Sequence, residues 1–308
     1  MQNKLPKTLL EAITYYADAS HCAEFVKNVC YGDAPVSCKK CGSLRVKALS
    51  NRQVWQCNDC RKQFSFKLGT IFEDSPLSLS KWIPALWLLI NSKNGISSHE
   101  VGRALGVTQR TAWFMMHRLR ETMRTGTFQK LSGHIEADET FVGGKAGNKH
   151  ASKRGNNKEE YDAKTVVFGM VERNGNAVAK VVNSRKRKEL SKEIHANVEI
   201  GSSLSTDALA SYDGLDTWYD HSTIDHSAGE YVRGNVHTNS VESFWALFKR
   251  TVKGTYIHIE SFHTDRYLHE QTARFNLRKT NDATRFETIA PQIMGRRLTW
   301  KELTGKAL

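Results

Sequence analysis

Cys38 and Cys41, followed after fifteen intervening residues by Cys57 and Cys60, form two C-x-x-C pairs. Each such turn presents two sulfurs on one side, and two turns together close a tetrahedral thiolate shell around a soft divalent ion, with no position left for water. The chemistry predicted is structural Zn2+ binding, preferred over two disulfides or four unrelated core cysteines because the paired spacing is regular. Val54 and Trp55 alternate into Cys57, and Phe64 and Phe66 alternate after Cys60, so short strands are expected to carry the cysteine turns, as in a zinc ribbon. Cys22 and Cys30 lie outside this pattern and read as ordinary reduced cysteines.

A second set of chemistry-bearing residues lies further along the chain. Phosphodiester chemistry with two divalent ions needs carboxylates that converge from different elements and hold the ions about 4 Å apart. The candidates are Asp138 in HIEADETFVGG, Asp207 in LSTDALASYDGL and Glu242 in NSVESFWALFKR. Hard carboxylate oxygens suit Mg2+, with Mn2+ as a substitute, and leave waters in place for reaction. In the last segment Val241, Phe244, Trp245 and Phe248 make an apolar stripe at helical spacing. Glu242 and Lys249 share one flank of it, where the ammonium can meet a phosphate. Asn239 stands at or before the first turn, where asparagine is a favoured N-cap. Each acid also has a structural reading: Asp207 as a helix cap, Glu242 as a first-turn acid favoured by the helix dipole, and Glu136 or Glu139 taking the place of Asp138. Their order on successive elements favours the chemical reading.

The elements that must position these residues follow from periodicity. Leu9, Ile13, Tyr16 and Ala17 predict a helical lead-in over about 6–28. Pro76 and SLSLS introduce a helix from Lys81 to about Ile90. Between Ser97 and Met123, Val101, Ala104 and Leu105 form one apolar stripe and Ala112, Met115, Met116 and Leu119 a second, with Gly106 breaking the first helix and Thr108 capping the next. Two helices joined by a glycine turn predict a helix-turn-helix, with a plain helical hairpin as the alternative. In a basic chain with a zinc ribbon the DNA reading is preferred, and Gln109, Arg110 and Arg118 become candidate DNA contacts, joined by Lys249 and Arg250.

Three β-rich runs follow, His134–Val142, Thr165–Glu172 and Ala177–Val182, the last two joined by an RNGN turn. A glycine-, asparagine- and lysine-rich loop occupies 145–160. Then come a helix over about 186–198, strands near 203–206 and 222–225, and helices near 240–252 and 261–276. A three-strand meander, a helix, two further strands and a closing helix is the order of a ribonuclease-H-like α/β fold. The expected organisation is a helical lead-in (1–32), a zinc ribbon (33–70), a helix-turn-helix segment (71–126), a catalytic domain (127–290) and a C-terminal tail (291–308).

At 308 residues the chain has room for two or three domains. Its net charge of +13 points to a polyanionic partner, because lysine and arginine placed against phosphates release condensed counterions. The most apolar run, Trp82 to Ile90, is too short to span a bilayer and contains Pro84. The segment MQNKLPKTLLEAITYYADA lacks a secretory-signal pattern, so a cytoplasmic protein is expected, associated with the nucleoid when bound to DNA.

The succession CKKCGS, WQCNDCRKQFSFKLGTIFEDSPLSLSKW, ADETFVGGK, TDALASYDGL, HTNSVESFWALFKR, GTYIHI and RYLHEQTARFN resembles bacterial insertion-sequence transposases of the ISXO-like group, relatives of the Merlin elements, over about Lys7 to Arg278. The resemblance implies a DDE-type transposase that binds the terminal repeats of its own element, cleaves at the ends and joins the 3′ ends to target DNA. It implies Asp138, Asp207 and Glu242 as the metal-binding triad and Lys249 as an auxiliary basic residue, with Asn239 as the alternative third ligand. His237, Tyr212, Tyr267, Glu270, Arg274 and Asn276 fall in motifs of the same group. Glu270 and Arg274 also read as a surface i, i+4 ion pair, and Arg185 to Lys188 as a solvated helix start. Double-stranded DNA and a homodimer or larger assembly on it are the implied partners. Two rival classes share these features: a catalytically silent DNA-binding regulator, and a nuclease or resolvase without strand joining. The intact triad weighs against the first, and a joining assay separates the second.

Overall fold

The computed structural model describes residues 6–49, 54–124, 129–143 and 164–305, so the loop expected at 145–160 lies outside the described residues. The chain forms two compact units, Met1–Arg124 with Lys279–Leu308, and Thr125–Arg278.

In the first unit the lead-in is two helices, α1 (Leu9–Tyr16) and α2 (Ala19–Tyr31), rather than one. Asp18 is the reason: its carboxylate accepts the Ser20 N–H at 2.7 Å as the N-cap of α2, which breaks the helix there. The ribbon is an antiparallel sheet of β1 (Val46–Leu49), β2 (Val54–Cys57) and β3 (Gln63–Phe64), with Val46 opposite Cys57 and Trp55 opposite Phe64. Helix α3 (Leu79–Asn91) buries Trp82, Ile83, Leu86, Trp87, Leu89 and Ile90; apolar on most sides, it is the core of this unit. Helix α4 (Ser98–Leu105) starts in a capping box between Ser97 and Glu100 and stops at Gly106, whose φ of 60° and ψ of 48° are left-handed. Thr108 then caps α5 (Gln109–Thr122) through its side chain. Ala104, expected in the buried stripe, is exposed; the inward face of α4 is that of Val101 and Gly102, where a Cβ on Gly102 would come within 3.0 Å of the Val107 carbonyl.

The second unit is built on a mixed five-stranded sheet. Strands β4 (His134–Val142), β5 (Thr165–Glu172) and β6 (Ala177–Val182) form an antiparallel meander. Helix α6 (Arg187–Asn197) then supplies the crossover that parallel pairing requires, and β7 (Ser203–Asp207) and β8 (Asp220–Ile224) follow as parallel neighbours beyond β4. Strand alternation sends Ile135 and Ala137 to one face, where Phe168, Met170, Leu190, Ile194, Leu204 and Tyr212 complete a core under α6. The other face sets Val142, Val167 and Val171 against Val241, Phe244, Trp245 and Phe248 of α7 (Asn239–Thr251) and Leu268 of α8 (Thr264–Asn276). Gly169, opposite Asp138 in the β4–β5 register, has no side chain because the Trp245 indole lies there: a Cβ would stand 2.5 Å from its Cζ2.

Asn276 ties the end of α8 to β6, its amide bonding both the Ala177 N–H at 2.7 Å and the Ala177 carbonyl at 3.1 Å. The chain then leaves this unit, twelve residues before the boundary expected at 290. Helix α9 (Asp282–Ile289) brings Phe286 against Tyr16, Phe25 and Trp87, and the Ile293 carbonyl accepts the Ile71 N–H at 2.8 Å. In α10 (Trp300–Thr304) Leu303 is buried and Trp300 stands edge-on to Phe114. The segment expected as a tail is thus a wall of the first unit.

Candidate metal centre and carboxylate site

The four ribbon sulfurs lie within 4.8 Å of one another, and no pair forms a disulfide. Cys38 to Cys60 and Cys41 to Cys57 are each 3.6 Å. A tetrahedron with Zn–S bonds of about 2.3 Å has S–S edges of about 3.8 Å, whereas bonded sulfurs are about 2 Å apart. The donor set fits Zn2+. Backbone N–H groups turned onto sulfur favour the thiolate: those of Cys41 and Lys40 bring the Cys38 thiol down to about 6, and those of Cys60 and Asp59 lower Cys57. Cys22 donates its thiol to the Tyr16 carbonyl at 3.1 Å and Cys30 stands beside Met294, both outside the shell.

Asp138 and Asp207 meet because of strand register. β4 and β7 pair in parallel as far as Glu136 and Ser205. Two residues further, Asp138 and Asp207 stand level where the strands part. Glu139 joins them from the opposite face of β4, and carboxylate oxygens of Asp138, Glu139 and Asp207 lie within 4.8 Å of one another. Glu242 lies outside that tight group, yet close enough for its charge to act on Asp138. Burial, then the charges of Asp207 and Glu242, lift the Asp138 carboxyl to about 6 against the pull of the Glu139 N–H. Burial and the charges of Asp207 and Asp138 lift Glu139 to about 7. The Tyr212 hydroxyl and the Trp245 indole N–H favour the ionised forms of Glu139 and Asp138 without closing an aligned hydrogen bond. Hard oxygens crowded until their own charge is suppressed are a donor set that a divalent cation fits.

Glu242 sits in the first turn of α7 with half of its side chain exposed; the Thr238 hydroxyl donates to its Oε1 at 2.8 Å, and His226 Nε2 lies 3.5 Å away. The cap position belongs to Thr238, and Asn239, expected there, is the exposed first residue of the helix. Thr238 gives its hydroxyl to Glu242 instead of closing a cap bond, and the Ser240 and Val241 N–H groups are satisfied by Glu136. Lys249 and Arg250 are exposed; Lys249 lines a pocket of about 250 Å³ with Phe141, Val142, Phe248, Lys253 and His258.

The remaining candidates separate. Gln109 is exposed and donates to the Ser98 hydroxyl at 2.8 Å, and exposed Arg110 lies over the Trp300 ring at 4.6 Å. Arg118 is turned inward: it is 4% exposed, donates to the Glu73 carbonyl at 2.7 Å and stacks on Trp82, so its place is the interior of the first unit. Glu270 and Arg274 pair, but in the core rather than on the surface, with the Tyr256 hydroxyl on Glu270 and Gln271 accepting from Arg274 at 3.1 Å. Tyr267 is buried against Tyr256. In the basic run Arg187 pairs with Asp213 at 3.0 Å and Arg185 lies over Phe141. In the sequence Glu136 stands only as a substitute for Asp138. Alternation does not separate the two, which share a face of β4; what sets Glu136 apart is its full burial and its donors Arg173, Ser240 and Val241, which only the tertiary fold supplies.

A thiolate shell in one unit and a hard-oxygen cluster at parting parallel strands in the other define a protein with a structural soft-metal centre and a separate carboxylate site. Residues 130–276 match the ISXO2-like transposase domain, and residues 18–63 match the transposase zinc-ribbon domain. A protein of Halobacterium salinarum described as an uncharacterized protein in transposable element ISH50 is 28% identical over 233 residues, covering 70% of this chain and 77% of the relative. The chain thus carries a transposase zinc-ribbon region followed by a region similar to the ISXO2-like transposase domain. Among the described residues no helix is long and apolar enough to cross a membrane.

Proposed function

We propose that this chain is the transposase of its own insertion sequence: it binds the terminal repeats, cleaves at the ends and joins the 3′ ends to target DNA. The observation that carries the reading is the convergence of Asp138 and Asp207 at the parting ends of β4 and β7, with Glu242 on the adjoining helix. The strand order, with its meander and two parallel additions, supports a ribonuclease-H-like fold. Asp138, Asp207 and Glu242 would hold Mg2+ or Mn2+, with Glu139 beside them. When bound, a pair of such ions supplies Lewis-acid activation of the attacking oxygen and stabilisation of the leaving one. Thr238 and His226 orient the Glu242 carboxylate. Lys249 and Arg250 meet phosphates, and the ribbon with α4 and α5 reads the ends as a helix-turn-helix, Gln109 and Arg110 being its outward candidates. Two ends must be held together, which calls for a dimer or larger assembly on DNA.

Incubation of the full chain with element-end and target DNA in Mg2+, followed by mapping of nicks and joined products, tests the reading. Nicks at the ends with joined 3′ strands are expected. Nicks without joining favour a nuclease or resolvase, and end-binding without nicks a silent regulator.

A further inference from the structure

A carboxylate with no exposed surface persists only when its lone pairs are taken up, and Glu136 is fully buried. Its partners come from two distant stretches of chain. Arg173, just after β5, donates Nε–H to Oε1 at 2.7 Å. The Ser240 hydroxyl donates to the same oxygen at 2.9 Å, while the Ser240 and Val241 backbone N–H groups donate to Oε2 at 2.5 and 3.1 Å. His237 Nδ1 stands 3.1 Å from Oε1, and Arg173 Nη2 donates to the His237 carbonyl at 3.2 Å.

Helix α7 therefore begins without a local side-chain cap, and its first-turn donors are met by an anion from the sheet, where the helix dipole favours one. That anion lies on the strand of Asp138, two residues before it and on the same face. The helix it holds carries Glu242 in the turn it anchors. One side chain thus links the element of one candidate metal ligand to the element of another. We infer that Glu136 is a positioning residue that sets the spacing between Asp138 and Glu242 by gripping the N-terminus of the Glu242 helix. The inference rests on the reading of those carboxylates as the metal set.

Reach and charge separate this role from that of an ordinary buried ion pair. Glu136→Gln keeps an oxygen at the same reach and loses the charge; Glu136→Asp keeps the charge for Arg173 and withdraws the oxygens from Ser240 and Val241 by one methylene. Mn2+ is titrated into the full chain and its free signal followed by electron paramagnetic resonance, with thermal melting alongside. If Glu136 acts by reach, Gln leaves Mn2+ affinity within about threefold of wild type and Asp weakens it about tenfold or more, the usual scale for residues behind a metal ligand. The reverse order, or unchanged Mn2+ affinity with lowered melting in both, overturns the inference. An Asp138→Asn chain that binds Mn2+ like wild type overturns the carboxylate reading itself and this inference with it. Should Glu136→Asp not fold, Ser240→Pro deletes both Ser240 contacts to Glu136, the backbone N–H and the hydroxyl, at a first-turn position that tolerates proline. Weakened Mn2+ affinity is then expected, and unchanged affinity overturns the proposal.

Discussion

The thiolate shell and the carboxylate cluster each gather metal-type ligands, but they stand in opposite relation to the fold. The ribbon's sulfurs are presented by two local turns within 23 residues, on strands of two to four residues that bury little. There the ion is a large part of what holds the structure. The carboxylates sit on a five-stranded sheet already closed by apolar layers on both faces, and they press like charges into its interior. There the fold holds the ligands together against their repulsion. One centre draws on its metal to fold, and the other gathers its acids at a cost in stability.

The comparison breaks most visibly at the cysteines. Cys57→Ser opens a structural shell whose ion contributes on the order of 10 kcal/mol to folding. Zinc analysis and calorimetry should show zinc released and the ribbon unfolded while the Thr125–Arg278 unit keeps its transition; retained ribbon structure without zinc would end the contrast. Asp138→Asn and Asp207→Asn should do the opposite. Each should abolish Mg2+-dependent cleavage by several orders of magnitude with end-binding intact, yet stabilise the metal-free second unit by about 1 kcal/mol through relieved repulsion. Appreciable nicking by either variant would shift the ligand role to Glu139.

Gly169→Ala tests the scaffold, since its Cβ meets the buried Trp245 ring; a loss of about 1–3 kcal/mol in chemical denaturation is expected, as for overpacked cores. A neutral result would mean that α7 yields freely. Proton linkage gives a smaller effect. Asp138 at about 6 and Glu139 at about 7 lie above their unfolded values, so their contribution to stability is full below about pH 4 and is lost as pH rises through 6 to 7. Because cations compete with those protons, the melting-temperature gain from Mn2+ should grow between pH 5 and pH 8; an equal gain at both contradicts the assignment. Asn239→Ala should change stability by less than about 0.5 kcal/mol, as exposed positions do. A loss near 1 kcal/mol would return the cap to Asn239.

What could be read from the chain follows the same division. The cysteine pairs, the meander and the Val241–Phe244–Trp245–Phe248 stripe are local patterns, and local periodicity is enough for them. Glu136 gripping Ser240 needs the packing of a helix N-terminus on the sheet, between residues 104 positions apart, which no spacing reveals. Arg118 misleads for a similar reason: helical position alone shows it flanking the stripe of α5, and only the tertiary fold supplies the Glu73 carbonyl and the Trp82 ring that take it inside. Asn239 lost the cap to the preceding threonine by one residue, within the ordinary uncertainty of helix ends.

The return of residues 279–308 to the first unit bears on the order in which the protein is made. Synthesis usually completes domains from the N-terminus onward. Here Tyr16, Phe25 and Trp87 wait for Phe286, and the Ile71 N–H waits for Ile293. The carboxylate unit, continuous from 125 to 278, is fully translated first, and the ribbon-bearing unit closes last. A message truncated after residue 278 would therefore yield a protein with its sheet and acids complete and its other half unsealed, its aromatic core open to water.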